Sequence, residues 1–430
     1  MPKRQFKNIL RYNKSLKRLA LSYIEGAGNF GLKIPQIPGG PIITIWSITH
    51  KCNLSCNHCY VPQTNELEEL SYKDVIKIID QLSESKNLVL GLSGGEPLLH
   101  KDIFKIIEYA SKKRMTIALA SNAILIDEIK AKDLANAGVE YIQVSIDGLQ
   151  DVHDAIRGKG AFNKAINGIK NCIKVGIYVS MDVVITKLNV VQIHDLIELA
   201  KSLKVQEFEI LDFVPSENAC LQAHLALTPK EIELFGANLC YIWKELIEEN
   251  YPLTLSYKNP IFTRILAQRF PNIFKMPFFK GVFPKDTIKF FNFSNRLHKG
   301  IFGEQTPFSP FVTGCESGIY VIHIKPNGDV TPCPLNPIII GNLKKDHIQN
   351  IWLQSSILNA YRNLKFEGQC GKCIYRIICG GCRAKVFITY HSYIQSDPTC
   401  LLVLNKKRRK KNRKSSSSKF DKDMYLNEMN

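Results

Sequence analysis

The chain has 430 residues, 45% of them hydrophobic, and a formal net charge of +18, the balance of an ordinary globular protein long enough for two or three well-buried domains. No uncharged apolar stretch reaches about 18 residues, which excludes a transmembrane helix. No signal peptide precedes the 13 cysteines, because Met1 to Ser22 is basic and interrupted by charge; a reducing, cytoplasmic and anaerobic setting is expected, with cysteines used for metal rather than for disulfides.

Residues 1–40 read as a basic arm. Phe6, Ile9, Tyr12, Leu16, Leu19 and Tyr23 fall at steps of three or four while Lys7, Arg11, Lys14 and Arg18 repeat on another face, which predicts an amphipathic helix. Its stripe either packs on the protein's own body or lies in a membrane interface. The far end, residues 406–430, has eight basic residues in the nine from Lys406 to Lys414 and then a serine run, the composition of a disordered electrostatic anchor. Each end carries +7, which leaves +4 for the 365 residues between. Nucleic acid would also suit the charge, but nothing resembling a nucleic-acid-binding module accompanies it.

The apolar run Ile42 to Ile48 reads as a strand, and Cys52, Cys56 and Cys59 follow it in Cys-x3-Cys-x2-Cys spacing. Three sulfurs in one loop cannot all form disulfides without strain, and a zinc site would want a fourth ligand nearby. An iron-sulfur cluster is satisfied, since an iron without a thiolate can take an exogenous partner. Further apolar runs at Leu88 to Leu92, Thr116 to Ala120, Tyr141 to Ile146, Tyr178 to Ile185 and Phe208 to Phe213 alternate with helical patterns. Six such units predict an α/β fold, a partial (β/α)6 TIM-like barrel over residues 41–250 with function at the C-terminal ends of its strands. Those ends carry Gly94-Gly95-Glu96-Pro97, Ser121-Asn122 and Ser145-Ile146-Asp147-Gly148, with Arg157 beyond. The glycines let backbone approach a ligand and Glu96 offers an acceptor for an amino group, while Ser, Asn and Asp serve equally well as caps and turns.

A helix starts at Thr228-Pro229 and runs to about residue 250. Residues 251–313 are rich in Phe without clean periodicity, which suits either core between two domains or a greasy substrate entrance. Residues 314–405 hold Cys315 and Cys333, then Cys370-x2-Cys373-x5-Cys379-x2-Cys382, and Cys400. Taken alone, the two Cys-x2-Cys pairs have zinc-knuckle spacing. Cys172 and Cys240 sit in helical patterns and read as core thiols.

The first cysteine loop, with Gly-Gly-Glu at the end of the next strand, resembles the radical S-adenosylmethionine (SAM) superfamily, and the later cysteines resemble its SPASM extension; together they cover about residues 42–220 and 315–402. One departure is Cys379-x2-Cys382, where the general pattern has three intervening residues. Val330-Thr331-Pro332-Cys333-Pro334, Gly341-Asn342-Leu343 and Cys379-Gly380-Gly381-Cys382-Arg383-Ala384 look closest to the branch of alternative haem-synthesis enzymes, which also holds peptide maturases.

The resemblance implies a SAM-binding [4Fe-4S] cluster on Cys52, Cys56 and Cys59, with His58 where the family has an aromatic residue beside adenine and Tyr60 flanking it. It places Gly94, Gly95, Glu96 and Pro97 at the methionyl amine and Ser121, Asn122, Ser145 and Asp147 at ribose and methionine. Arg157 would pair with the SAM carboxylate or fix the loop. Two auxiliary [4Fe-4S] clusters are implied: an outer one on Cys370, Cys373, Cys379 and Cys400, and an inner one on Cys315, Cys333 and Cys382. The inner set is one ligand short, so that its iron is open or is completed by a residue such as Cys220.

The implied activity is reductive cleavage of SAM to a 5′-deoxyadenosyl radical that abstracts hydrogen from an unactivated carbon, with an oxidative completion and a ferredoxin- or flavodoxin-type electron donor. The basic ends and the Phe-rich stretch lie outside the resemblance and suggest a hydrophobic substrate, a tetrapyrrole or membrane lipid, met at a membrane surface. A peptide or protein maturase forming a crosslink or thioether is the alternative, and a non-enzymatic iron-sulfur carrier a remote one. The sequence names no catalytic acid or base.

Overall fold

The computed structural model describes residues 3–31, 37–61, 68–249, 251–269 and 314–404, leaving out the side chains of 3–16 and 247. The first helix, α1 (Lys3–Phe30), leads into β1 (Ile43–Thr49), α2 (Tyr72–Glu84), β2 (Val89–Gly94), α3 (Ile103–Lys112), β3 (Thr116–Ser121), α4 (Glu128–Ala137) and β4 (Val139–Ser145). Then come α5 (Gln150–Arg157), α6 (Ala161–Lys174), β5 (Tyr178–Ile185), α7 (Ile193–Leu203), β6 (Glu207–Asp212), α8 (Pro229–Glu248), β7 (Thr254–Lys258) and α9 (Pro260–Arg269). The C-terminal part holds β8 (Val321–Ile324), β9 (Asp329–Thr331), β10 (Gly341–Asn342), α10 (Ile348–Gln354), α11 (Ser356–Arg362), α12 (Gly368–Gly371) and α13 (Arg383–Tyr390).

Each helix forms because one face is apolar. In α2, for example, Ser71 caps the first turn by accepting from the Asp74 amide, and Val75, Ile78, Ile79 and Leu82 turn one stripe to the sheet. The strands β1 to β7 run parallel in chain order, curled so that alternate residues face the barrel interior and the rest face the helices. Ile117, Leu119, Ile142 and Val144 are among the fully buried residues of the layer between strands and helices.

One expectation about domain limits changes. The barrel continues past residue 250, because β7 pairs with β6 and α9 packs behind it; Thr254, Ser256 and Lys258 alternate with Leu255 and Tyr257 in too short a run to stand out from the aromatic stretch. The stretch expected as a C-terminal domain, residues 314–405, shares the sheet: β8 lies parallel to β1, so among the described residues one ten-stranded sheet runs β10-β9-β8-β1-β2-β3-β4-β5-β6-β7. Residues 270–313 and 406–430 lie outside the described residues, and with them most of the Phe-rich stretch and the basic tail.

The second half of α1 packs on the body, as one of its two readings expected. Arg18 donates to the carbonyls of Ser83, Asn87 and Lys113 at 2.9–3.0 Å, Ser22 is buried, and Glu25 pairs with Lys86 at 2.5 Å. The following turn is held from the C-terminal part, where the Trp352 indole donates to the Pro38 carbonyl at 3.0 Å. No helix of the described residues is long and apolar enough to cross a membrane.

Candidate active site

The cysteine loop leaves the C-terminal end of β1 and is held at several points. The Gly95 and Glu96 amides donate to the Thr49 and Lys51 carbonyls at 2.8 and 2.7 Å, and the Asn122 side chain donates to that of Asn53 at 2.7 Å. A β-carbon on Gly94 would lie 2.4 Å from the Thr49 oxygen, and one on Gly95 2.2 Å from the Lys51 oxygen. The glycines are therefore required first by the cysteine loop's own backbone, closer to hand than any ligand.

Cys52, Cys56 and Cys59 line a cavity of about 1150 Å³. Burial pushes all three thiols up, Cys56 to about 11, so a cation is needed to hold them as thiolates. A donor set of three sulfurs on one short loop fits a cluster with one iron left open.

Glu96 is wholly buried, directly behind the cavity-lining residues Gly95, Ser121 and Asn122. Its carboxylate accepts from the Ser121 hydroxyl at 2.9 Å, the Asn122 amide at 2.9 Å and the Leu98 amide at 3.2 Å. Burial nevertheless outweighs these donors and raises Glu96 to about 7. A carboxylate has about four acceptor positions, so one remains for a cation. Gly94, Gly95, Ser121, Asn122, Ser145 and Tyr60 line the cavity, whereas Pro97 is buried behind it at the start of a short 3-10 turn.

Asp147 departs from expectation: it is fully buried and engaged on the other side, beneath the cysteine loop. It accepts from Arg157 Nε at 2.5 Å and the Val184 amide at 2.9 Å, and lies 3.2 Å from His58 Nε2. Although burial opposes it, Arg157 and then His58 hold Asp147 down to about 2. Arg157, 3.9 Å from the Cys56 sulfur, thus anchors the loop, and it also lines the cavity. It is carried by α5, an eight-residue helix too short to read from periodicity.

Cys315, Cys333 and Cys382 come from three separate segments and line the same cavity as the first loop. Burial raises Cys333 to about 11 and Cys382 further. Cys370, Cys373, Cys379 and Cys400 line a second, much smaller cavity beside Arg264 and Asp397. The Cys315 amide donates to the Cys379 carbonyl at 3.2 Å, which ties the two sets together. Cys220 is exposed on the 3-10 segment Glu217–Leu225 and does not line the cavity, so it does not complete the inner set; Cys172 and Cys240 are buried core thiols as expected.

The sequence reading missed the polar wall of the barrel. Gln143, Asp182, Glu207, Glu209 and Lys258 project inward from β4 to β7, opposite Ile43, Ile45, Val89 and Ala118 on β1 to β3. Gln143 donates to Asp182 at 2.7 Å and to Glu209 at 3.2 Å, Tyr141 donates to Glu207 at 3.1 Å, and Lys258 lies 3.4 Å from Glu209. Burial and then the neighbouring Glu209 raise Glu207 to about 7, and the same causes raise Asp182. The available signal was Glu207-x-Glu209 inside a strand, where residues two apart share a face. At the top of β6, Asp212 accepts from Asn259 at 2.9 Å and pairs with the buried Lys385 of α13.

Comparison with known proteins agrees with this geometry. Residues 46–200 match the radical SAM superfamily and residues 315–374 match the SPASM iron-sulfur cluster-binding domain. The AdoMet-dependent heme synthase of Oleidesulfovibrio alaskensis is 27% identical over 87% of this chain and 92% of its own. The mycofactocin maturase MftC of Mycolicibacterium smegmatis is 27% identical over 84% of this chain and 83% of its own. The crystal structure of Streptococcus suis SuiB bound to S-adenosylmethionine is 17% identical, covers 85% of this chain and 78% of that one, and superposes with a TM-score of 0.63, a likeness of fold.

Proposed function

The chain is a radical SAM enzyme with a C-terminal SPASM domain, and we propose that it carries out an oxidative modification of a hydrophobic substrate bound between two cysteine sets. The observation that carries this reading is the single cavity of about 1150 Å³ lined both by Cys52, Cys56 and Cys59 and by Cys315, Cys333 and Cys382. Such a volume is at the upper end for small-molecule sites and accommodates SAM together with a sizeable second molecule. Its flank from α8 to α9 is apolar, with Leu239, Trp243, Leu246, Phe262 and Leu266.

In this reading Cys52, Cys56 and Cys59 hold the SAM-binding [4Fe-4S] cluster, Cys315, Cys333 and Cys382 an inner auxiliary one, and Cys370, Cys373, Cys379 and Cys400 an outer one. When bound, SAM and the reduced cluster supply a 5′-deoxyadenosyl radical able to take hydrogen from an unactivated carbon. The chain's own residues bind, orient and keep dry: Glu96 takes the methionyl amine, Ser121, Asn122 and Ser145 take polar edges of SAM, and Arg157 with Asp147 and His58 fixes the loop from beneath. The substrate class is a tetrapyrrole, in line with the heme synthase relative, or a lipid met at a membrane by the basic ends; the electron donor is of ferredoxin or flavodoxin type. The polar wall of Gln143, Asp182, Glu207 and Glu209 favours a second reading, a peptide maturase, since a peptide offers hydrogen-bond donors to that wall.

Anaerobic reconstitution with SAM and dithionite tests the core of the proposal. 5′-Deoxyadenosine is expected, with iron near twelve per chain for three clusters; no 5′-deoxyadenosine sinks the enzyme reading, and iron near eight removes one cluster. Titration with iron coproporphyrin, read by its Soret band, separates the tetrapyrrole from the peptide reading. Unchanged liposome binding after deletion of residues 1–24 and 406–430 would end the membrane idea.

A further inference from the structure

A buried chain of hydrogen bonds runs from β1, the strand that leads into the first cysteine loop, to Cys333 of the inner set. The Ser47 hydroxyl lies 2.9 Å from His323 Nε2 on β8, and His323 Nδ1 lies 2.9 Å from the Thr331 hydroxyl on β9. Thr331 in turn donates to the Cys333 carbonyl at 3.0 Å. Register explains the reach: His323 sits directly opposite Thr331 in the antiparallel pair and beside Ile45, two residues before Ser47, in the parallel one. Ser47, His323 and Thr331 are all buried.

The chain has a direction that follows from chemistry. A carbonyl only accepts, so Thr331 commits its proton to Cys333 and must accept from His323 Nδ1–H. Burial holds His323 well below its ordinary value, at about 3, so the ring is neutral and its Nε2 accepts from Ser47. Every donor therefore points from β1 towards Cys333.

We propose that this chain, Ser47 to His323 to Thr331 to the Cys333 carbonyl, ties the inner cysteine set to β1 across the β1/β8 junction, with His323 as the positioning residue that sets the surroundings of the inner cluster. It rests on the reading of Cys333 as an inner-cluster ligand. Aligned hydrogen bonds polarise one another, and partners behind a ligand orient it and tune the potential of the metal it holds. Among side chains only one with an acceptor and a donor at opposite ends fills the middle position. The serine and threonine at the other positions need only their hydroxyls.

The test uses the full chain reconstituted anaerobically, with the inner-cluster EPR signal identified by its loss in Cys382→Ser. At a fixed applied potential, His323→Phe is expected to lower the reduced-to-oxidised ratio of that cluster at least tenfold, which is 59 mV for a one-electron couple. Ser47→Ala, at the far end, shifts the ratio in the same direction, and His323→Gln, with one acceptor and one donor, restores most of it. An unchanged ratio in His323→Phe or Ser47→Ala, or equal damage in His323→Gln and His323→Phe, overturns the proposal. Should the Phe variant fail to fold, ¹⁵N-histidine NMR of the wild-type protein decides: an Nε2–H tautomer at His323 overturns the chain. A wild type without an inner-cluster signal would instead refute the functional reading, and the tautomer measurement would still stand.

Discussion

Replacing Glu96 by Gln probes the link between the buried carboxyl and SAM. Glu96 accepts three hydrogen bonds and is still raised to about 7, because burial outweighs them. The positive amine of SAM would fill the fourth acceptor position and requires the ionised form. The sign follows: a proton competes with the amine, so affinity is full above pH 7 and falls below it. At pH 6 roughly one-tenth of the free sites are ionised, and wild-type affinity for SAM should be about tenfold weaker than at pH 8. Glu96→Gln keeps the shape and an acceptor for Ser121 but loses the charge. A hydrogen bond to a charged group contributes about 1.5–3 kcal/mol, so binding at pH 8 should weaken roughly ten- to hundredfold and become flat in pH. Equilibrium dialysis of labelled SAM against the reconstituted protein at both pH values reads this directly. Wild-type affinity equal at pH 6 and pH 8, or a Gln variant within twofold of wild type at pH 8, would refute the assignment of Glu96 to the amine.

Three further outcomes are expected. Cys400→Ser should lower iron from about twelve to about eight per chain while the SAM-binding loop keeps its cluster, as measured by iron content and EPR. Lys385→Met leaves Asp212 buried without its cation and should cost roughly 3–5 kcal/mol in thermal or denaturant unfolding, with Asp212→Asn in the same chain recovering much of the loss. Glu207, raised to about 7, contributes stability that is present at low pH and lost as pH rises through that value. Glu207→Gln should therefore gain on wild type by about 1–2 kcal/mol between pH 6 and pH 8.5, and parallel stability curves for the two proteins would contradict that.

Much of the centre was legible in the sequence because short-range spacing determined it. Cys52, Cys56 and Cys59 share one loop, Gly94-Gly95-Glu96 ends the next strand, and the alternation of apolar runs with helical patterns announces the parallel barrel. What spacing could not convey was direction. Asp147 and Ser145 stand two residues apart at the same strand end, yet Ser145 faces the cavity while Asp147 turns under the cysteine loop to Arg157 and His58. The reason is that Arg157, at the end of the short helix that follows directly, folds back and offers a buried carboxylate the charge it needs.

The residue identities by themselves placed Cys52, Cys56 and Cys59 in one loop and Gly94-Gly95-Glu96 at the next strand end, while the sorting of the later cysteines into two sets came from the resemblance, since Cys315, Cys333 and Cys382 lie far apart in the chain. Only the tertiary structure decided that β8 joins the barrel beside β1, that Glu207, Glu209 and Asp182 meet on one interior wall, and that Ser47 and Cys333, far apart in sequence, are joined through His323. Those relations depend on strand order and register, which are set by packing among distant segments rather than by any local pattern.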